Sequence, residues 1–170
     1  MIVTLTGYMG SGKSTVGAKL AALLGCAFID LDCYIEDKAG RGIPEIFSED
    51  GEKAFRAIEA EALRRVVVTN TLECRDVVIA LGGGTVMTAA LQDLIFSQTF
   101  CIWLKPDLNT LLQRVGDGSG RPLADEHFEQ RLREREPVYA RAKMTVETDG
   151  LSSDQVAALI ACELNKNYAQ

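Results

Sequence analysis

Five short apolar runs punctuate the chain: Ile2 to Leu5, Ala27 to Ile29, Val77 to Leu81, Phe100 to Leu104 and Met144 to Val146. Apart from Thr4 and Thr145 the runs are continuous rather than alternating, the pattern of a strand covered on both faces by helices. Between the first two runs, Val16, Leu20, Leu23 and Leu24 recur at helical spacing before Gly25, which supplies a helix stop. Leu108, Leu111, Leu112 and Val115 repeat that pattern, and Val156, Leu159, Ile160 and Leu164 form a further stripe behind Ser152 and Gln155 in capping-box spacing. Strands alternating with helices predict an α/β fold with a parallel sheet between helical layers. Two segments stand outside the alternation. Residues 33–68 read as several helices in succession, and residues 116–126 are rich in Gly with little apolar weight. Both predict insertions above the sheet.

Composition narrows the partners more than the fold. At 170 residues and 47% apolar, the chain can bury one sizeable core and reads as a single domain, 1–170. A formal charge of −6 argues against a surface built to neutralise nucleic-acid phosphates. A small ligand is expected, and an anionic one is compatible, because a few Arg residues can dominate the field of a cleft. The five cysteines form no C-x-x-C pair and read as reduced thiols. With no leader-like N-terminal pattern and no apolar run of about 20 residues, the expectation is a cytoplasmic protein without a membrane partner.

Directly after the first run comes Gly7-Tyr8-Met9-Gly10-Ser11-Gly12-Lys13-Ser14-Thr15, which satisfies G-x-x-x-x-G-K-[ST] in the strand–loop–helix setting the motif requires. Glycines let backbone N–H groups turn inward around a phosphate, and the following helix presents its positive end. Lys13 can reach the β- and γ-phosphates, and the Ser14 hydroxyl can bind Mg²⁺. The motif predicts nucleotide binding and fits a GTPase, an ATPase or a kinase equally well.

Other residues carry two readings each. Asp30 and Asp32 face the same way if the second strand persists, so that one could hold a water on Mg²⁺ while the other orients or deprotonates an acceptor hydroxyl. The alternative is that they merely cap the helix beginning near Tyr34. Arg56 lies at the edge of the stripe Phe55, Ile58, Ala62, Val66, within reach of a cleft or paired on the surface with Glu59. Gly82, Gly83 and Gly84 follow the third run, at the carboxyl edge where open α/β sheets bind ligands, or form a plain turn. Arg135 continues the stripe of Phe128 and Leu132 and should point inward, toward an anion or a nearby acid; Pro137 predicts a break or kink beside it.

Taken in order, six motifs resemble those of the shikimate kinase family. They are the Gly7 to Thr15 loop; Asp30-x-Asp32 with Ile35-Glu36; Gly51-Glu52-x-x-Phe55-Arg56-x-x-Glu59; Gly82-Gly83-Gly84; Arg121-Pro122-Leu123; and Arg135-x-Pro137-x-Tyr139. The resemblance spans about residues 2–149 and implies a three-layer P-loop fold like that of nucleoside monophosphate kinases. A helical substrate-binding insertion would occupy about 32–62 and a lid about 115–126. It implies transfer of the γ-phosphate of ATP to the 3-hydroxyl of shikimate, with Mg²⁺; an expected site complete within one chain predicts a monomer. The residues it implies for ATP are Gly10, Ser11, Gly12, Lys13, Ser14, Thr15, Arg114 and Arg121. For shikimate it implies Asp32, Arg56, Gly82, Gly83, Gly84 and Arg135, and for the metal Ser14 and Asp30, the latter directly or through water. Lys13, Asp32 and Arg121 would be the catalytic set, with Arg121 reaching the transferring phosphate from the lid. Arg114 reads equally as the polar end of its helix.

Two rivals share part of this pattern: another small-acceptor P-loop kinase, such as a gluconate or nucleoside monophosphate kinase, and a nucleotide-binding protein that has lost turnover. Arg56 and Arg135 with the three glycines favour shikimate over the first, and the intact set of Lys13, Asp30, Asp32 and Arg121 disfavours the second. His127 reads as a surface residue without a catalytic role, Trp103 and the methionines as core, and Cys33 as a packing residue.

Overall fold

The computed structural model of the protein describes residues 1–116 and 127–168. In chain order its elements are β1 (Ile2–Thr6), α1 (Lys13–Leu24), β2 (Ala27–Asp30), α2 (Leu31–Ala39), α3 (Ile43–Glu49), α4 (Gly51–Leu72) and β3 (Val77–Ala80). After a 3₁₀ turn at Thr85–Met87 come α5 (Ala89–Gln98), β4 (Phe100–Lys105), α6 (Leu108–Gly116), α7 (Phe128–Tyr139), β5 (Met144–Glu147) and α8 (Ser153–Tyr168).

All five apolar runs are strands. They form one parallel sheet in the order β2-β3-β1-β4-β5, with Val3 opposite Val78 and Phe100, and Leu104 opposite Val146. Strand side chains alternate between faces, and each face has its own core. Val3, Leu5, Val78, Ile102 and Leu104 pack beneath α1 and α8 with Val16, Leu20, Ile160 and Leu164. Val77, Ile79, Cys101 and Trp103 pack on the other side with Leu63 and Val66 of α4 and Leu91 and Ile95 of α5. The chain therefore returns every strand to the same carboxyl edge, where the loops after β1, β2 and β3 collect.

Local signals set the helix ends. Gly25 closes α1 in the left-handed region at φ 65°, while the Gly25 and Cys26 N–H groups donate to the Ala22 and Ala21 carbonyls. Ser152 and Gln155 form the expected reciprocal cap of α8, at 2.8 and 3.2 Å. Gly17 lets α1 sit close on the sheet, because a Cβ there would lie 2.5 Å from the Phe28 ring.

Four expectations need correction or extension. Residues 33–68 do hold helices in succession, but α2 begins at Leu31 and α4 runs on to Leu72. The second strand ends at Asp30, so Asp32 stands on the first turn of α2 and not on a prolonged strand. Pro137 neither breaks nor ends the helix at Arg135. The α7 helix continues to Tyr139, and Pro137 occupies its last turn. Cys33 is exposed rather than packed, whereas Trp103 is buried as expected. The helix α5 has no counterpart in the sequence reading, although Leu91, Leu94 and Ile95 carry a short helical stripe.

Candidate active site

The loop between β1 and α1 turns over the sheet edge through glycines at φ 139° (Gly7), 78° (Gly10) and 91° (Gly12). At Gly7 a side chain is excluded outright, because a Cβ would lie 2.6 Å from the Leu104 carbonyl oxygen. Lys13 opens α1, and its ammonium donates to the carbonyls of Gly7 and Tyr8, each at 2.9 Å. The loop thus holds its own lysine over the spot where the helix N-terminus favours anions.

Asp30 connects this loop to the next motif. One of its carboxylate oxygens accepts the Ser14 hydroxyl at 2.5 Å, and the other accepts the N–H groups of Asp32 and Cys33 at 3.1 and 3.4 Å. The capping reading of Asp30 therefore holds, and its other oxygen stands against the hydroxyl that ends the phosphate motif. The cap fixes the first turn of α2 and so directs Asp32 beneath Gly82, where a Cβ would lie 2.9 Å from Asp32 Oδ1. Burial first, then the charges of Asp30 and Glu59, push the Asp32 carboxyl up from 3.8 to about 6, with Lys13 opposing. A carboxyl poised there is mostly ionised at neutral pH yet able to take a proton.

Arg56, on α4, bonds Glu59 Oε2 through Nη1 at 2.8 Å, and Glu52 lies 3.5 Å from its Nη2. Because Glu59 is only 1% exposed, this is not the solvated surface pair of the alternative reading. Arg56 also lies against Gly84, where a Cβ would meet Nη2 at 2.8 Å. Arg135 approaches from α7, with Nη1 3.4 Å from the Gly83 carbonyl and its guanidinium 5.1 Å from the Tyr8 ring centroid. The Tyr139 hydroxyl donates to the same Gly83 carbonyl at 2.6 Å, and burial keeps it protonated by raising it to about 12. The three glycines are thus a floor held from two helices, α4 and α7.

These groups line one cleft of about 1430 Å³, which runs from the phosphate loop to α3 and α4. It contains Gly10 to Thr15, Asp30, Asp32, Arg56, Gly82 to Gly84, Arg114 and Arg135. Arg114 donates to the Gly10 carbonyl at 3.1 Å, at the loop end of the cleft. Arg121 and positions 117–126 of the expected lid lie outside the described residues. Several cleft residues escaped the sequence reading. Ile43, Pro44 and Phe47 of the short α3 wall the acceptor end, and Thr148, Leu151 and Ser153 border the loop end. Thr85 lies behind the glycines, its hydroxyl 2.7 Å from Glu59 Oε1. Only its place after a glycine run marks it in the sequence.

An anion-binding loop, a carboxyl able to exchange a proton and two arginines facing the same space suit phosphoryl transfer to an alcohol that carries an acid group. Among the described residues no three His, Cys, Asp or Glu side chains gather as a metal cage, and no helix is long and apolar enough to cross a membrane.

A family model described as shikimate kinase matches residues 9–165. The chain is 40% identical to the shikimate kinase of Salinibacter ruber over 94% of its length and 83% of that protein. It is 41% identical to an enzyme of the same name from Thermus thermophilus, over 95% and 89%. Among solved structures, a shikimate kinase from Acinetobacter baumannii in complex with shikimate superposes with a TM-score of 0.87 at 34% identity, covering 99% of this chain and 95% of that one. The shikimate kinase of Aquifex aeolicus gives 0.86 at 29% identity, with 98% of each chain covered. With the family model, these relatives and the site geometry in agreement, the chain belongs to the shikimate kinase family.

Proposed function

We propose that this chain transfers the γ-phosphate of ATP to the 3-hydroxyl of shikimate, giving shikimate 3-phosphate and ADP on the route to chorismate and the aromatic amino acids. The observation that carries the reading is the convergence of Asp32, Arg56 and Arg135 on one cleft beside the phosphate loop.

ATP lies with its phosphates in the loop Gly10 to Thr15, bound by backbone N–H groups and the N-terminus of α1. Lys13 exchanges the carbonyls of Gly7 and Tyr8 for phosphate oxygens. Arg114 stands on the base side of the loop. Arg56 and Arg135 hold the shikimate carboxylate, the first through its planar fork, and Gly82 to Gly84 let backbone approach the ring. This fixes the acceptor hydroxyl beside Asp32. As the oxygen attacks the γ-phosphorus, the bond from γ-phosphorus to the bridging oxygen breaks, ADP leaves and the hydroxyl proton passes to Asp32. Positioning of the two reactants supplies much of the acceleration, since little covalent work falls to the protein.

Ser14 and Asp30 fit Mg²⁺: both offer hard oxygen atoms at the mouth of the loop, 2.5 Å apart, and this ion takes few protein ligands beside substrate phosphates and water. When bound, the ion neutralises charge on the β- and γ-phosphates. Arg121 serves the transferring group in the same electrostatic sense from a lid at about 115–126, and residues of about 32–62 form the acceptor-binding insertion. The enzyme works as a monomer in the cytoplasm, the location being supported by five cysteines, an odd number with no C-x-x-C pair.

An acceptor panel tests the reading. With Mg²⁺-ATP present, ADP should form rapidly with shikimate and little with gluconate, AMP, CMP or no acceptor. Equal release without acceptor would refute kinase function, and a preference for gluconate would move the chain to the rival acceptor class.

A further inference from the structure

Thr85 opens the 3₁₀ turn behind the three glycines and is fully buried. Its N–H donates to the Gly82 carbonyl at 3.1 Å, so the backbone of the turn is held without help from the side chain. The hydroxyl does something else. It donates to Glu59 Oε1 at 2.7 Å, while Glu59 Oε2 accepts from Arg56 Nη1 at 2.8 Å. A carboxylate buried to 1% exposure requires a donor on each oxygen, and these two donors fix the plane of the group.

Glu59 in turn occupies one edge of the Arg56 guanidinium, and which edge is occupied decides which N–H groups remain turned toward the cleft. The parts are close together. From a Cβ placed on Gly82, Asp32 Oδ1, Thr85 Oγ1 and Glu59 Oε1 lie at 2.9, 3.0 and 3.2 Å. There is little room for Glu59 to take another rotamer without disturbing its neighbours.

We propose that Thr85 is a positioning residue for the acceptor's carboxylate: through Glu59, its hydroxyl sets the orientation in which Arg56 faces the cleft. The inference rests on the assignment of Arg56 to that carboxylate. A residue that only fills space would act through its volume and β-branching, both of which valine reproduces. The hydroxyl is what separates the two roles.

The test is Thr85→Val, with Thr85→Ser as rescue and Thr85→Val/Arg56→Lys as the double variant. KM for shikimate should rise about five- to tenfold in Thr85→Val, as the net loss of one hydrogen bond felt through Glu59 implies. KM for ATP should stay within about twofold, since uniform binding of the acceptor alone is affected. Serine should restore the shikimate KM, and the valine effect should largely vanish once Arg56 is replaced. An unchanged shikimate KM overturns the proposal. So does a joint fall in both affinities and melting temperature that serine does not correct, which would mark Thr85 as packing alone. Should Thr85→Val not fold, Thr85→Ala set against Thr85→Ser isolates the hydroxyl, since those two side chains differ in that group alone, and equal shikimate KM values in the pair overturn the proposal. The wild-type arm reports separately on the proposed function, because shikimate-dependent turnover there is independent of any ratio between variants.

Discussion

The Ser14 hydroxyl and the Asp30 carboxylate meet at 2.5 Å, and the same carboxylate caps α2 with its other oxygen. The end of the phosphate motif and the start of the acceptor helix are therefore one hydrogen-bonded unit. Asp30→Asn separates its two duties, since an amide oxygen still accepts from backbone N–H groups while the negative charge is gone. Its melting temperature should stay close to that of the wild type, and the Mg²⁺ concentration giving half-maximal activity should rise several-fold. A large loss of stability with unchanged Mg²⁺ dependence would make Asp30 a cap only.

Asp32→Asn should lower kcat by roughly 10²-fold or more, because the group that takes the hydroxyl proton is lost. It should also stabilise the protein above pH 6. The Asp32 carboxyl is raised to about 6 when folded, so the folded state binds its proton more tightly than the unfolded chain does. The associated stability is intact below the ordinary carboxyl range and is lost as pH rises through about 6. Replacing the carboxyl removes that loss, worth on the order of 3 kcal/mol at pH 8 and nothing near pH 3. Thermal melts of both proteins at the two pH values check the sign, and equal melting temperatures at pH 8 would contradict it.

Arg56→Lys and Arg121→Lys both keep a positive charge yet should fail in different kinetic constants. Arg56 is assigned to a carboxylate present before and during reaction, so its loss should mainly raise the shikimate KM. A cost of about 1.4 to 3 kcal/mol corresponds to roughly ten- to a hundredfold. Arg121 is assigned to charge that develops during transfer, so its loss should lower kcat with a smaller change in that KM. If both variants shift KM alike with kcat intact, the role given to Arg121 is wrong.

Gly84→Ala tests the glycine floor without backbone strain, because Gly84 has φ −106°. The new methyl would meet the Arg56 guanidinium at 2.8 Å, the far end of a flexible side chain. Arg56 should move aside, raising the shikimate KM while leaving the melting temperature almost unchanged. Gly7→Ala makes the opposite case: its backbone is at φ 139° and the methyl would strike the Leu104 carbonyl, so stability and nucleotide binding should both fall. Titration calorimetry with ATP and a thermal melt distinguish the two variants.

Strand β3 was legible because a strand buried on both faces writes itself as an unbroken apolar run, as Val77 to Ala80 does. The phosphate loop was legible because its glycines answer a backbone demand that few other sequences meet. Asp30 shows the limit of local reading: capping a helix and facing the phosphate loop ask for the same residue type at the same place, and only the partners at each oxygen reveal that one carboxylate does both. Pro137 misled because one missing N–H costs little in the last turn of a helix. Thr85 was invisible because its significance lies in Glu59, 26 residues away, and no spacing rule links a 3₁₀ turn to a helix across the sheet edge.

The most direct test follows ³¹P NMR during incubation of the protein with Mg²⁺-ATP and shikimate. The γ-phosphate signal should be replaced by a phosphate monoester at the 3-oxygen of shikimate, with one ADP formed for each ester. Release of inorganic phosphate in place of the ester, or ADP formation at the same rate without shikimate, would contradict the assignment of this cleft to phosphoryl transfer onto shikimate.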